Sequence, residues 1–151
     1  MKIRVLVVDD SVVVRRILQD ILASDPEFEV VGTASDGKIA LSRIDQLKPD
    51  AVTLDIEMPN LDGLQTLTAL RKTHPKLPVV MLSTLTKRGG AATLDALARG
   101  ANDYVTKPEG SGSAHEAFQQ VKEQLLPKLR ALCGAKPRGI SRPLAPVQQP
   151  A

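Results

Sequence analysis

Ile3-Arg4-Val5-Leu6-Val7-Val8-Asp9-Asp10-Ser11 is the stretch that decides the fold. Its first part is a short, continuous, β-branched run, the pattern of a strand buried on both faces. The run ends in two carboxylates. From Ser11 the period changes: Val14, Ile17, Leu18, Ile21 and Leu22 line one face of a helix, with Arg15, Arg16, Gln19 and Asp20 opposite. A buried strand passing directly into an amphipathic helix is the opening of a βα unit, and Asp25-Pro26 breaks it off.

The same unit recurs outward from there. Phe28–Ala34 reads as a strand, Gly37–Leu47 as a helix, and Lys48-Pro49-Asp50 as the turn after it. Ala51–Leu54 is a third strand, with a helix inside Asp62–His74. Val79–Leu82 is a strand apolar on both faces, followed by a helix over Gly89–Arg99 that Gly100 stops. Asn102–Thr106 is the fifth strand, and Ser113–Leu132 is the last helical stretch. Alternating strands and helices, with strands apolar throughout, predict an α/β fold: a doubly wound, five-stranded parallel sheet covered on both faces. Pro127 removes a backbone donor inside the last stretch and predicts a break or kink near Leu126. Residues 134–151 hold four prolines and no acidic residue, so they read as a flexible linker. The expected organisation is one domain over residues 1–126, then a helical extension and a Pro-rich linker over 127–151.

Composition narrows the function classes. The chain has 151 residues, 42% hydrophobic and 25% charged, a soluble globular balance. No run approaches the ~18 apolar residues of a membrane span, and Met1-Lys2-Ile3-Arg4 lacks a signal peptide's apolar segment. Cys133 is the sole cysteine, which excludes an internal disulfide and fits a reducing cytoplasm. The net charge of +3 comes from Lys136, Arg138 and Arg142. Removing those three from the 20 Lys+Arg leaves 17, which balance the 17 Asp+Glu. No folded basic surface for nucleic acid is therefore expected.

In a doubly wound sheet the ligand crevice lies beyond the carboxyl ends of the strands. Asp9 and Asp10 follow the first strand, Asp55 the third, Ser83 and Thr84 the fourth, and Lys107 the fifth, just before Pro108. Three carboxylates repel unless a cation or a proton intervenes. Mg²⁺ suits them, since it takes few carboxylates and keeps several waters. A hydroxyl at Ser83 and an ammonium at Lys107 could then contact a phosphoryl group.

With these residues in hand, the chain resembles the receiver domain of bacterial two-component response regulators over roughly residues 1–126. The matching segments are Val7-Val8-Asp9-Asp10-Ser11, Leu54-Asp55-Ile56-Glu57-Met58-Pro59 through Asp62-Gly63, Met81-Leu82-Ser83-Thr84, and Gly100-Ala101 through Tyr104-Val105-Thr106-Lys107-Pro108. The resemblance implies a flavodoxin-like fold with strand order 2-1-3-4-5. It also implies that Asp55 accepts a phosphoryl group from a sensor histidine kinase. Mg²⁺ would be held by Asp9, Asp10, Asp55 and the backbone carbonyl of Glu57. Ser83, with Thr84 beside it, and Lys107 would contact the phosphoryl group, Tyr104 would be a switch aromatic, and the Lys107–Pro108 bond is a candidate cis peptide.

Within that family, Ser83-Thr84-Leu85-Thr86 with Gly89-Gly90, and Asp103 through Ser111, look like the chemotaxis protein-glutamate methylesterase. That resemblance implies a regulatory domain gating a C-terminal esterase domain that acts on chemoreceptors. The esterase itself is not expected in this chain. Ser111 and Ser113 have no Gly-x-Ser-x-Gly elbow, and no motif places His74 or His115 in a triad. A stand-alone receiver, or the receiver of another response regulator, is the alternative. An aspartyl phosphatase would need Asp-x-Asp after its first strand, where this chain has Asp9-Asp10.

Overall fold

The computed structural model describes residues 2–84, 87–107 and 113–134. Among them, β1 (Ile3–Val8), β2 (Phe28–Ala34), β3 (Ala51–Asp55), β4 (Val79–Ser83) and β5 (Asp103–Thr106) form one parallel sheet in the order β2-β1-β3-β4-β5. The helices α1 (Val12–Ala23), α2 (Gly37–Leu47), α3 (Gly63–Thr73), α4 (Lys87–Ala98) and α5 (Ala114–Leu129) alternate with the strands. This is the doubly wound α/β fold that the sequence predicts, with the strand order that the resemblance to receiver domains implies.

Alternation along the strands builds two cores. Val5 and Val7 of β1 and Val80 and Leu82 of β4 face one side, where they pack with Leu18, Ile21 and Leu22 of α1 and Val121 and Leu125 of α5. Leu6, Val8, Val52, Leu54 and Met81 face the other, against Ile44 of α2 and Leu67 and Leu70 of α3. Every residue of β3 and β4 is buried, as central parallel strands require.

Local chemistry fixes the helix starts. Ser11 caps α1, its hydroxyl accepting from the Val14 N–H at 3.2 Å. Asp62 caps α3 in a reciprocal capping box with Gln65. Ser113 and Glu116 do the same for α5. Gly100 turns the α4–β5 connection at φ +112°, where a side chain would also crowd Arg71. Helix α4 begins two residues earlier than the Gly89 start that the sequence suggests.

The expected break near Leu126 is not there. Helix α5 continues through Pro127 to Leu129, and a π-helical turn follows over Arg130–Gly134. Pro127 and Glu123 are both exposed, so the carbonyl that loses its partner lies on the wet side of the helix. On the opposite side Leu125, Leu126, Leu129 and Cys133 are buried in the first core, which holds the helix in register past the proline. Arg130 lies 5.4 Å from the Phe28 ring centroid and pairs with Asp25 and Glu27. The helical extension is thus packed on the domain through Cys133, while the expected linker from residue 135 on lies outside the described residues.

If the extension is part of the core, Leu129→Ala should lower unfolding stability by about 2–5 kcal/mol in a denaturant titration, the range for a buried leucine truncation. A change of only a few tenths of a kcal/mol would show that α5 contributes nothing beyond Leu126.

Candidate functional site

The sheet order reverses around β1, which has β2 on one side and β3 on the other. The pairing of Val8 with Leu54 therefore brings Asp9, just past β1, beside Asp55 at the end of β3. This is the topological switch point at which doubly wound sheets gather ligands. Lys107, just after β5, is tied to the end of β4 by its N–H, which donates to the Ser83 carbonyl at 2.7 Å.

Asp9, Asp10 and Asp55 each offer a carboxylate oxygen within 4.8 Å of the others. Asp9 is 0% and Asp55 1% exposed, while Asp10 lies open to solvent. Lys107 reaches in from the side, with Nζ 3.0 Å from Asp55 Oδ1 and 3.5 Å from Asp9 Oδ2. The remaining bonds orient the carboxylates. Asp9 Oδ1 accepts from the Ser11 N–H at 2.9 Å, and Asp55 Oδ1 accepts from the Glu57 N–H at 3.3 Å. Asp55 Oδ2 is buried without a hydrogen-bond partner among the described residues, and Asp9 Oδ2 has only its 3.5 Å ion pair with Lys107. Buried polar atoms are rarely left so. These underpaired carboxylate oxygens, with a third carboxylate beside them, are oxygen donors that fit a hard divalent cation.

The loop after β3 closes tightly over the site. The Gly63 N–H donates to the Ile56 carbonyl at 2.7 Å, and a Cβ at Gly63 would fall 2.1 Å from the Asp55 carbonyl oxygen. Only glycine lets α3 begin that close to the strand end. A small crevice lined by Asp55, Glu57, Ser83, Thr84 and Gly89 brings the two hydroxyl residues to the same spot. Ser83 is buried and Thr84 half-buried. Tyr104 points outward from β5 and is 42% exposed. The Lys107–Pro108 bond, named above as a candidate cis peptide, lies outside the described residues.

Two participants were not singled out from sequence. Arg15, assigned to the solvent side of α1, turns back and donates to the Asp9 carbonyl at 2.7 Å. Thr53, opposite Val7 and Val80, is a buried hydroxyl with no partner among the described residues, on the same strand face as Asp55. A polar residue inside an otherwise apolar strand was the signal available for it.

The electrostatics follow from burial. Desolvation, and then the charge of Asp9, push the Asp55 carboxyl up to about 7, an effect Lys107 only partly offsets. Burial likewise raises Asp9 above the usual carboxylate range. At Lys107 burial works against the charge, but Asp55 and Asp9 outweigh it and hold the ammonium above its ordinary value.

The sequence profile of the response regulator receiver domain matches residues 5–119. A protein-glutamate methylesterase/protein-glutamine glutaminase from a Nocardioides species is 51% identical over 152 residues, covering 97% of this chain and 42% of that protein. The chain thus spans about two-fifths of the length of such curated relatives. The crystal structure of the response regulator domain of Thermotoga maritima CheB superposes with a TM-score of 0.79 at 47% identity, covering 91% of this chain and 100% of that one. CheY in its complex with CheX, BeF₃ and Mg²⁺ from Borrelia burgdorferi gives a TM-score of 0.70 at 30% identity, covering 85% and 87%. Among the described residues no helix is long and apolar enough to cross a membrane.

The raised carboxyl sets a pH dependence in metal-free buffer. A carboxyl whose folded pKa exceeds its unfolded value is favoured protonated, so its stabilising effect is full below about pH 4 and is lost as pH rises through about 7. The melting temperature in chelator should therefore fall over that window, and Asp55→Asn should flatten the fall. Parallel curves for the two proteins would contradict the assignment.

Proposed function

The chain belongs to the response regulator receiver domain family, and from that membership we propose that it is a phosphorylation-dependent regulatory domain whose acceptor is Asp55. The observation that carries this reading is the buried Asp55 carboxylate, 3.0 Å from Lys107 Nζ and grouped with Asp9 and Asp10. The phosphodonor would be a phosphohistidine on a sensor histidine kinase. One carboxylate oxygen of Asp55 attacks phosphorus, the phosphorus–nitrogen bond breaks, and the leaving imidazole takes up a proton. The product is an acyl phosphate on Asp55.

Phosphoryl transfer needs in-line positioning and charge neutralisation more than covalent help from the protein. Here the chain's own residues divide that work. The Glu57 N–H and Lys107 fix the Asp55 carboxylate from two directions, leaving its second oxygen unengaged. Lys107 then neutralises the incoming phosphoryl charge, and Ser83, with Thr84 beside it, donates a hydroxyl to a phosphoryl oxygen. Asp9, Asp10, Asp55 and the Glu57 carbonyl would hold Mg²⁺, which supplies further charge neutralisation when bound. That CheY relative, 30% identical and solved with BeF₃ and Mg²⁺, supports this choice of ion.

The output would be a C-terminal protein-glutamate methylesterase domain acting on chemoreceptors in the cytoplasm. Methylesterase relatives more than twice as long as the matched segment support this over a stand-alone receiver. In the proposed gate the unphosphorylated receiver obstructs the catalytic cleft through α4, β5 and α5, and phosphorylation releases it. Ser83 and Lys107 contact phosphoryl oxygens in one state only, which is the differential interaction any population shift requires.

Incubation with Mg²⁺ and a small acyl phosphate should modify Asp55, mapped by mass spectrometry, and Asp55→Asn should abolish the modification. Modification of the variant at the wild-type rate would refute the acceptor assignment. Asp10→Ala should raise the Mg²⁺ concentration for half-maximal phosphorylation at least ~10-fold, the order expected for a lost ligand or the group orienting one. An unchanged Mg²⁺ requirement would remove Asp10 from the metal site.

A further inference from the structure

Tyr104 is the sole tyrosine of a chain without tryptophan. Its ring is contacted from α5. Lys128 Nζ sits 4.9 Å from the ring centroid, donates to the carbonyl of the same residue at 2.5 Å, and pairs with Asp103 Oδ1 at 3.2 Å. The Tyr104 N–H donates to that same carboxylate oxygen at 2.8 Å. Ammonium, carboxylate and the Tyr104 backbone thus close one polar ring, with the aromatic face above it. One helical turn earlier, Gln124 Oε1 accepts from the Thr106 N–H at 3.2 Å. Strand β5 is at the sheet edge, and side chains of α5 satisfy the backbone groups that another strand would otherwise pair.

Between α4 and β5 lies a groove of about 360 Å³, lined by Ser83, Thr84, Thr93, Leu94 and Leu97 with Tyr104 as a wall. It connects the hydroxyls beside Asp55 to the aromatic ring. Rotation of the ring into this groove gives up its contact with Lys128.

We propose that Lys128 is a latch that holds Tyr104 outward in the unphosphorylated protein and so sets the resting bias of the switch. The inference rests on the reading of Tyr104 as the switch aromatic and adds the group that opposes its movement. The attraction of an ammonium for an aromatic face at a half-exposed site corresponds to about a three- to thirty-fold preference for the outward state. Engagement of Ser83 by a phosphoryl group has to overcome that preference. Without the ammonium, the inward state is populated before any phosphoryl group arrives.

The test uses Tyr104 as its own reporter. Acrylamide quenching of tyrosine fluorescence is measured on the full chain with Mg²⁺, before and after a small acyl phosphate. Mass spectrometry follows Asp55 in parallel. Lys128→Met keeps the aliphatic stem and removes the charge. Lys128→Arg keeps a cation that stacks on the ring. In the wild type, Tyr104 should be readily quenched before phosphorylation and protected after it. Lys128→Met should be protected at least ~3-fold more than the wild type before phosphodonor is added, with Asp55 modified to the same extent, and Lys128→Arg should restore quenching. Equal quenching of Lys128→Met and wild type before phosphodonor, with the wild type still responding to it, would overturn the latch alone. A wild type that is phosphorylated on Asp55 without any change in quenching would overturn the switch reading and the latch with it.

Discussion

Two carboxylates buried on neighbouring strands cannot both carry charge unless a cation stands between them, and Lys107 is the cation that the chain supplies. Unit charges about 4 Å apart interact by about 4 kcal/mol at the effective dielectric of a protein near its surface. Asp9 and Asp55 therefore constrain everything around them. Lys107 has to arrive from β5, so β5 is tied to β4 through the Ser83 carbonyl. The loop after β3 has to clear the strand end, so Gly63 stands where a methyl group would strike the Asp55 carbonyl. The arrangement remains underneutralised, since burial and Asp9 keep the Asp55 carboxyl high despite Lys107. That residual electrostatic cost is what a further cation bound there would relieve.

Much of this was legible in the sequence because parallel sheets converge their carboxyl ends. Asp9, Asp55, Ser83 and Lys107 are far apart in the chain, yet each follows a run that reads as a strand. Reading the runs as parallel strands was enough to bring their last residues together. The three acidic residues do meet, and Lys107 bridges two of them. The resemblance to receiver domains supplied roles for these positions that the residues by themselves left open.

What was not legible depended on rotation and reach. Pro127 predicted a break because its penalty is local. The orientation that puts it on the solvent side while Leu125, Leu129 and Cys133 stay buried is a property of the packed helix. Arg15 was assigned to solvent by its helical phase, but a long side chain can lay its stem along the surface and deliver its guanidinium elsewhere. Lys128 and Tyr104 lie 24 residues apart, on a helix and an edge strand. No periodicity within either element relates them.

The packed extension also fixes where the described chain leaves the domain. Cys133 Sγ approaches the Asp50 carbonyl at 3.6 Å, just before β3 begins, and Arg130 grips Asp25 and Glu27 just before β2. These contacts lie at the amino ends of the strands, the pole opposite Asp55. A neighbour attached covalently beyond residue 134 would therefore be leashed from the rear of the molecule, while the groove beside Tyr104 opens toward the front. To touch that groove such a leash would have to span the length of the domain, so its contour length, more than any contact at its root, would set the local concentration at which the neighbour samples the switch.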